Sequence, residues 1–298
     1  MKYKSTITIL VVLIVIVSII ATTSGIFSNS GRGSYAYESI RGKAVTIYGK
    51  GLYRHMSAEV APQGIAQDYV SLFIGVPLLL ISLLMARNGS LKARFLLTGV
   101  LGYFMVTYVF YTVMGMYNAL FIGYVILAGT SFYAFLAMLL SFDMSAVRFS
   151  FSPATPVKST GGFLIFNSIA ITFLWLSIVV PPLIDGSIVP QQVEHYTTLV
   201  VQGLDLGLLL PGGIISAVLF IRNKPLGYLL CPVYFVFLSL LMTALTAKVA
   251  AMAMLGYNVI PVIFIIPAFN VAAIVCTVAI LRHIKLSDSK ITGHDIHI

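Results

Sequence analysis

Eight apolar stretches, each long enough to cross a bilayer, constrain this chain more than any motif does. They run from about residue 5 to 24, 68 to 86, 95 to 114, 119 to 141, 162 to 184, 199 to 221, 226 to 248 and 259 to 281. A helix rises 1.5 Å per residue, so about 20 residues match a hydrocarbon core roughly 30 Å thick. Inside hydrocarbon every backbone N–H and C=O must be paired within the protein, which leaves helices and closed barrels as the spanning structures. Barrel strands alternate apolar and polar residues over about 10 positions, whereas these runs are continuously apolar. The expected fold class is an all-α integral membrane protein of eight transmembrane helices. Composition agrees: 59% of the 298 residues are hydrophobic and 9% are charged, and the mean hydropathy is +1.01, beyond the needs of a soluble core.

The first run carries a second possibility. Met1 to Lys4, an apolar run and the small residues Ala21 to Gly25 together have the outline of a cleavable signal peptide. The apolar run of about 18 residues exceeds the usual signal core, so retention as a spanning helix is expected.

Basic residues give the orientation. With a cytoplasmic N-terminus the inner set is Lys2, Lys4, Arg87, Lys92, Arg94, Arg148, Lys158, Arg222, Lys224, Arg282, Lys285 and Lys290, twelve of the eighteen. Arg32, Arg41, Lys43, Lys50 and Arg54 fall in one long outer loop, where charge has little topological weight, and Lys248 ends the seventh run. Both termini are therefore expected in the cytoplasm, with the chain in the cell membrane. The net charge of +9 is largely this bias. No basic face with interleaved aromatics stands outside the spans, so nucleic acid is excluded as a partner and the bilayer is the expected one.

The second half of the chain reads as an altered copy of the first. Arg87-Asn88 returns as Arg222-Asn223, Gln67 as Gln202 and Leu91 as Leu226, all at an offset of 135 residues, and Tyr117-Asn118 returns as Tyr257-Asn258. The expected organisation is two parallel four-helix repeats, 1–158 and 159–284, followed by a cytoplasmic tail, 285–298. Such duplication commonly builds a cavity between the halves.

The outer loop, residues 25 to 67, is the one large segment outside the spans. Ala44 to Tyr48 alternates and Gly49-Lys50-Gly51 follows, so a short hairpin is expected through Leu52 and Tyr53. A segment of about 40 residues is too small to fold alone and should lie on the bundle as a cap. Its Gly-x-Gly lacks the third glycine and the strand-to-helix setting of a nucleotide loop.

Acidic residues concentrate at the outer side: Glu38, Glu59, Asp68, Asp185, Glu194 and Asp205, against Asp143, Asp288 and Asp295 inside. Asp68 opens the second run and Asp205 lies in the sixth, 19 and 17 residues before Arg87 and Arg222. Along a helix that is roughly 25 to 29 Å, the depth of the outer interface. Such a carboxylate can simply favour the positive end of the helix dipole. Alternatively, the pair lines a vestibule for a cation, a proton or an amine. Breakers accompany each: Gly75 and Pro77 after Asp68, and Gly207, Pro211, Gly212 and Gly213 after Asp205. Breaks free backbone carbonyls, which are tolerated where protein or a wet cavity satisfies them. The competing reading is close helix packing through Gly203-x-x-x-Gly207.

Hydroxyl stripes mark two further helices, Tyr103, Thr107 and Tyr111 on the third and Ser239, Thr243 and Thr246, continuing to Lys248, on the seventh. They serve as interhelical glue or as a cavity wall. Lys248 should pair with Asp205, unless it faces lipid and snorkels. Trp175, alone of its kind, reads as packing.

The contact candidates are thus Asp68, Asp205, Lys248, Gln67, Gln202, Tyr111 and Thr243, and the hinge candidates are Pro77, Pro211 and Gly212. His55, Glu59, Glu194 and His195 can be imagined around a divalent ion, but their spacings differ between halves and no tight histidine pair occurs. In the tail, His294 and His297 read as a polar end. Cys231 and Cys276 form no CxxC and read as packing thiols. No histidine falls within an expected span, which removes the intramembrane serine protease and the haem bundle. No metal, cofactor or enzymatic activity is expected. The expected function is translocation of a small solute or ion; the alternative is a non-transporting sensor, scaffold or complex subunit that binds a partner through the outer loop.

Overall fold

The structure, a computed structural model, describes residues 2–285. The expected tail beyond Lys285, with Asp288, Lys290, His294, Asp295 and His297, lies outside the described residues. Among the described residues, eight helices are long and apolar enough to cross a membrane: α1 (Lys4–Phe27), α2 (Val60–Arg87), α3 (Leu91–Val113), α4 (Phe121–Leu140), α5 (Val157–Ile184), α6 (Val200–Ile221), α7 (Pro225–Met254) and α8 (Val262–Arg282).

Two helices outrun the apolar patterns that predict them, and both carry site candidates. α2 begins at Val60, because Val60 to Gln67 is too polar to read as a span yet still helical; Pro62 sits where a helix N–H has no intrahelical acceptor. Asp68 is thus an interior residue of α2 and does not open it, so the dipole-end account of Asp68 fails. α7 continues to Met254, so Lys248 lies inside a helix and does not end it.

α2 and α6 each contain one turn of wider π-helix, at Ser71–Gly75 and Asp205–Leu209. Pro77 and Pro211 follow each wide turn by two residues. A π turn absorbs one extra residue and shifts the hydrogen-bond ladder, which accommodates a proline without ending the helix. The expected breaks are therefore bulges in continuous helices.

Helix α3 packs on α2 and α4, and α1 packs on α2 and α4; likewise α7 packs on α6 and α8, and α5 on α6. The seam between these groups is α3 against α7, with α7 also lying on the outer half of α2. Phe95, Tyr103, Phe104 and Phe235 are fully buried along it. Lipid tails are as apolar as these side chains, so close van der Waals fit, rather than escape from water, holds such helices together. Gly99 is where the fit is tightest: a Cβ there would collide with Val236 and the Val233 carbonyl.

Between α1 and α2 a hairpin pairs β1 (Tyr35–Glu38) with β2 (Ala44–Ile47), antiparallel, with Tyr35 opposite Ile47 and Glu38 opposite Ala44. The strand expected at Ala44 forms, but its partner lies before it; Gly49 and Gly51, both at positive φ, instead turn the chain away. Tyr53, Met56 and Ala61 then form a small buried cluster packed against Tyr111, Met114 and Met116, which seats the segment on the helix ends.

Candidate functional site

The site begins with a glycine. Gly25 lies in the last turn of α1, where a Cβ would overlap the Asp68 carboxylate, so its missing side chain makes room for that group. Asp68, 2% exposed, accepts hydrogen bonds from the Tyr53 hydroxyl at 2.5 Å and the Tyr111 hydroxyl at 3.1 Å. The Tyr111 hydroxyl also lies 3.0 Å from the Gly64 carbonyl. Three elements therefore meet at one carboxylate: α2 supplies it, the loop supplies Tyr53 and α3 supplies Tyr111.

Around it the tyrosines stack. Tyr53 lies on Tyr111 with ring centroids 6.2 Å apart, Tyr111 on Tyr124 at 5.2 Å, and Tyr108 on Tyr124 at 6.2 Å. The hydroxyls of Tyr108 and Tyr124 are buried without a hydrogen-bond partner. A buried polar group left unpaired costs free energy, so two in one cluster mark a place kept for something other than stability.

Next to the cluster, Gln67 donates to the Tyr103 hydroxyl at 2.7 Å and to Thr107 at 3.3 Å, and Ser71 lies 2.9 Å from Tyr103. The α3 stripe thus divides: Tyr103 and Thr107 are glue to α2, while Tyr111 serves the carboxylate.

Asp205 has different company. It accepts a 2.8 Å hydrogen bond from the Trp175 indole N–H on α5. Trp175 is therefore a partner of the acid and not mere packing. An indole N–H within an apolar span needs an acceptor, and that was the available signal in the sequence. The Tyr234 hydroxyl donates to the Leu209 carbonyl at 2.8 Å, satisfying a group at the end of the wide turn. Gly203 and Gly207 meet nothing within 4 Å of an added Cβ, so the small-residue contact expected there does not form; Gly212 is equally open.

Lys248, half-buried on α7, lies within electrostatic reach of both carboxylates, Asp205 and Asp68. The expected direct pair with Asp205 is absent: among the described residues no carboxylate comes within 4.0 Å of the ammonium. The helix carrying Lys248 lies against α2 as well as α6, so the cation stands between two acids instead of closing on one.

Thr243 is not part of this group. It faces α8, 3.2 Å from Asn270, while Ser239 lies 2.8 Å from Thr277 and Asn270 donates to Thr246 at 3.4 Å. The α7 stripe is glue. Gln202 is half-buried on α6 and, among the described residues, joins no network like that of Gln67.

Above the site the two long loops touch. Arg41 donates to the Tyr196 and Thr197 carbonyls at 2.9 and 3.1 Å, and the Ser57 N–H donates to the Tyr196 hydroxyl at 3.2 Å. His195 Nε2 lies 3.0 Å from the His55 carbonyl. Burial, and then the charge of Glu194, push the Glu59 carboxyl above its ordinary range. Although these four residues converge, no three of them are arranged to hold a metal ion among the described residues.

No protein-family model, curated protein or solved structure matches this chain.

Proposed function

We propose that the protein moves a small cation, amine or proton across the membrane, using Asp68 and Asp205 as charge-bearing contacts and Lys248 as their shared counter-ion. The observation that carries this reading is a buried lysine within reach of two carboxylates and closed onto neither. A charge in a membrane helix is costly and is retained where it does work. A cation or proton that neutralises one acid frees Lys248 to move toward the other, which couples cargo binding to a shift of α7 against α2 and α6. The wide turns after Asp68 and at Asp205, with Pro77, Pro211 and Gly212, are the points where those helices can bend.

A duplicated plan supports this reading. The wide turns, the prolines that follow, the ends of α2 and α6, and the starts of α3 and α7 all recur 134 residues apart. On that spacing residues 1–158 and 159–284 are two parallel repeats. The basic loops favour cytoplasmic termini, which puts the tyrosine cluster and the cap on the outer face.

The test is flux in liposomes. Asp68→Asn, Asp205→Asn and Lys248→Gln should each lower transport of the cargo ion about tenfold or more, the scale of one lost charge contact. Wild-type rates in all three would sink the carboxylate role. The second reading, a non-transporting sensor or complex subunit, draws on the hairpin tip, where Ile40 is 88% exposed. It gains if no ion or solute gradient drives flux through the wild-type protein.

A further inference from the structure

At the end of the bundle opposite the tyrosine cluster, a cavity of about 750 Å³ opens among the start of α5, the end of α6, the start of α7 and the residues after α8. Three cations from separate segments line it: Arg148 before α5, Lys158 in its first turn and Lys285 beyond α8. No acidic side chain lines it. Loop charge that only orients a protein in the bilayer has no need to converge from three segments on one concave, acid-free space.

The walls are held in place before any ligand arrives. The Lys285 N–H donates to the Ser150 carbonyl at 2.8 Å, the Ser152 N–H donates to the His283 carbonyl at 2.8 Å, and Phe151 bridges to Ile284. Phe151 also packs on Tyr228, centroids 5.1 Å apart, and the Tyr228 hydroxyl donates to Asn223 at 2.9 Å. This anchoring fixes where Lys285 leaves α8 and where Arg148 approaches. The first turn of α5 adds backbone N–H groups that have no intrahelical acceptor. At the mouth, Phe149 is 74% exposed, level with the ends of the apolar spans. An aromatic ring next to cations at that depth suits the boundary between headgroups and acyl chains.

We propose that this cavity binds the phosphate group of an anionic lipid headgroup, with Arg148, Lys158 and Lys285 as its charged contacts and Phe149 against the acyl chains. The proposal is independent of transport, because none of these residues belongs to the outer site.

The test uses the purified full chain in detergent and follows its melting midpoint during titration with dioctanoyl phosphatidylglycerol, dioctanoyl phosphatidylcholine or inorganic phosphate. Phosphatidylglycerol should raise the midpoint saturably at concentrations where phosphatidylcholine and inorganic phosphate do not. Neutralising one cation should weaken the half-point roughly fivefold, and the triple variant Arg148→Gln, Lys158→Gln, Lys285→Gln on the order of a hundredfold. All three side chains are exposed, so the core is left intact. Arg87→Gln with Lys92→Gln, which removes charge at the same end but outside the cavity, should titrate like the wild type. Equal response to both lipids, or an unchanged half-point in the triple variant, overturns the site. A full response to inorganic phosphate alone overturns the lipid as carrier.

Discussion

Gly25 and Asp68 are a pair in which a missing side chain on one helix fits a carboxylate on another. Gly25→Ala should destabilise the protein by about 1–3 kcal/mol, the usual cost of overpacking. Because the clash is with that one carboxylate, Gly25→Ala combined with Asp68→Ala should cost less than the two single changes added together. Melting midpoints of the four proteins give the cycle, and strict additivity would refute the contact. Tyr53→Phe removes a donor to the same group and should cost about 1.5–3 kcal/mol, the range for hydrogen bonds to charged partners. Phenylalanine at Tyr108 or Tyr124 should cost little or even stabilise, since those hydroxyls are unpaired in the structure. At this scale the sequence exposed Asp68, Tyr111 and Gln67 through their polarity within apolar runs. It gave no hint of Gly25 or Tyr53, because nothing local distinguishes a glycine facing a carboxylate from any other glycine in a helix.

Among the elements, the seam of α3 and α7 sets the geometry of everything above it. Gly99→Leu would drive a side chain into Val236 and the Val233 carbonyl, force the helices apart and shift Lys248 relative to Asp68. The expected outcome is a lower melting midpoint together with loss of flux, whereas the same change at Gly129, where an added Cβ meets nothing, should leave both near wild type. The wide turns at Ser71–Gly75 and Asp205–Leu209 also belong to this scale. They revise the pairing of residues between the halves. Counted from the turns and prolines the offset is 134, so Asp205 corresponds to Ser71 and lies one helical turn deeper than Asp68 would. The Arg-Asn pairs suggest 135, because α2 ends at Arg87 and α6 at Ile221. Short identical motifs date from the sequence; the frame of the helices is set by hydrogen-bond ladders, and the two have slipped by one residue.

For the whole molecule, the two loop segments close over the site through Arg41, Tyr196, His195 and Glu59. Burial and Glu194 raise the Glu59 carboxyl, so the folded protein keeps a proton that the unfolded chain has released. A raised carboxyl leaves stability intact below its unfolded value, 4.5, and removes stability as pH rises through the folded value. The melting midpoint of Glu59→Gln should therefore exceed that of the wild type by a margin that widens as pH rises from 4.5. A margin that stays constant with pH would mean that Glu59 and Glu194 do not interact. Removing the Arg41 clasp with Arg41→Ala should speed proteolysis of the hairpin without lowering the midpoint of the helical core, since its two contacts join loop to loop.

By itself the sequence determined the membrane class and the eight helices, because about 20 consecutive apolar residues have one stable conformation in hydrocarbon. It also determined the polar positions that had to find partners. Which partners they found was a matter of tertiary structure alone. Helix α7 lies against α2 as well as α6, and that placement turned an expected Asp205 to Lys248 pair into a lysine shared between two acids. Periodicity records which face of a helix is apolar but not which neighbour that face meets, since in lipid every neighbour is equally apolar and only shape decides. The fit of Gly99 to Val236 and of Gly25 to Asp68 made that decision, and it is invisible until the helices are side by side.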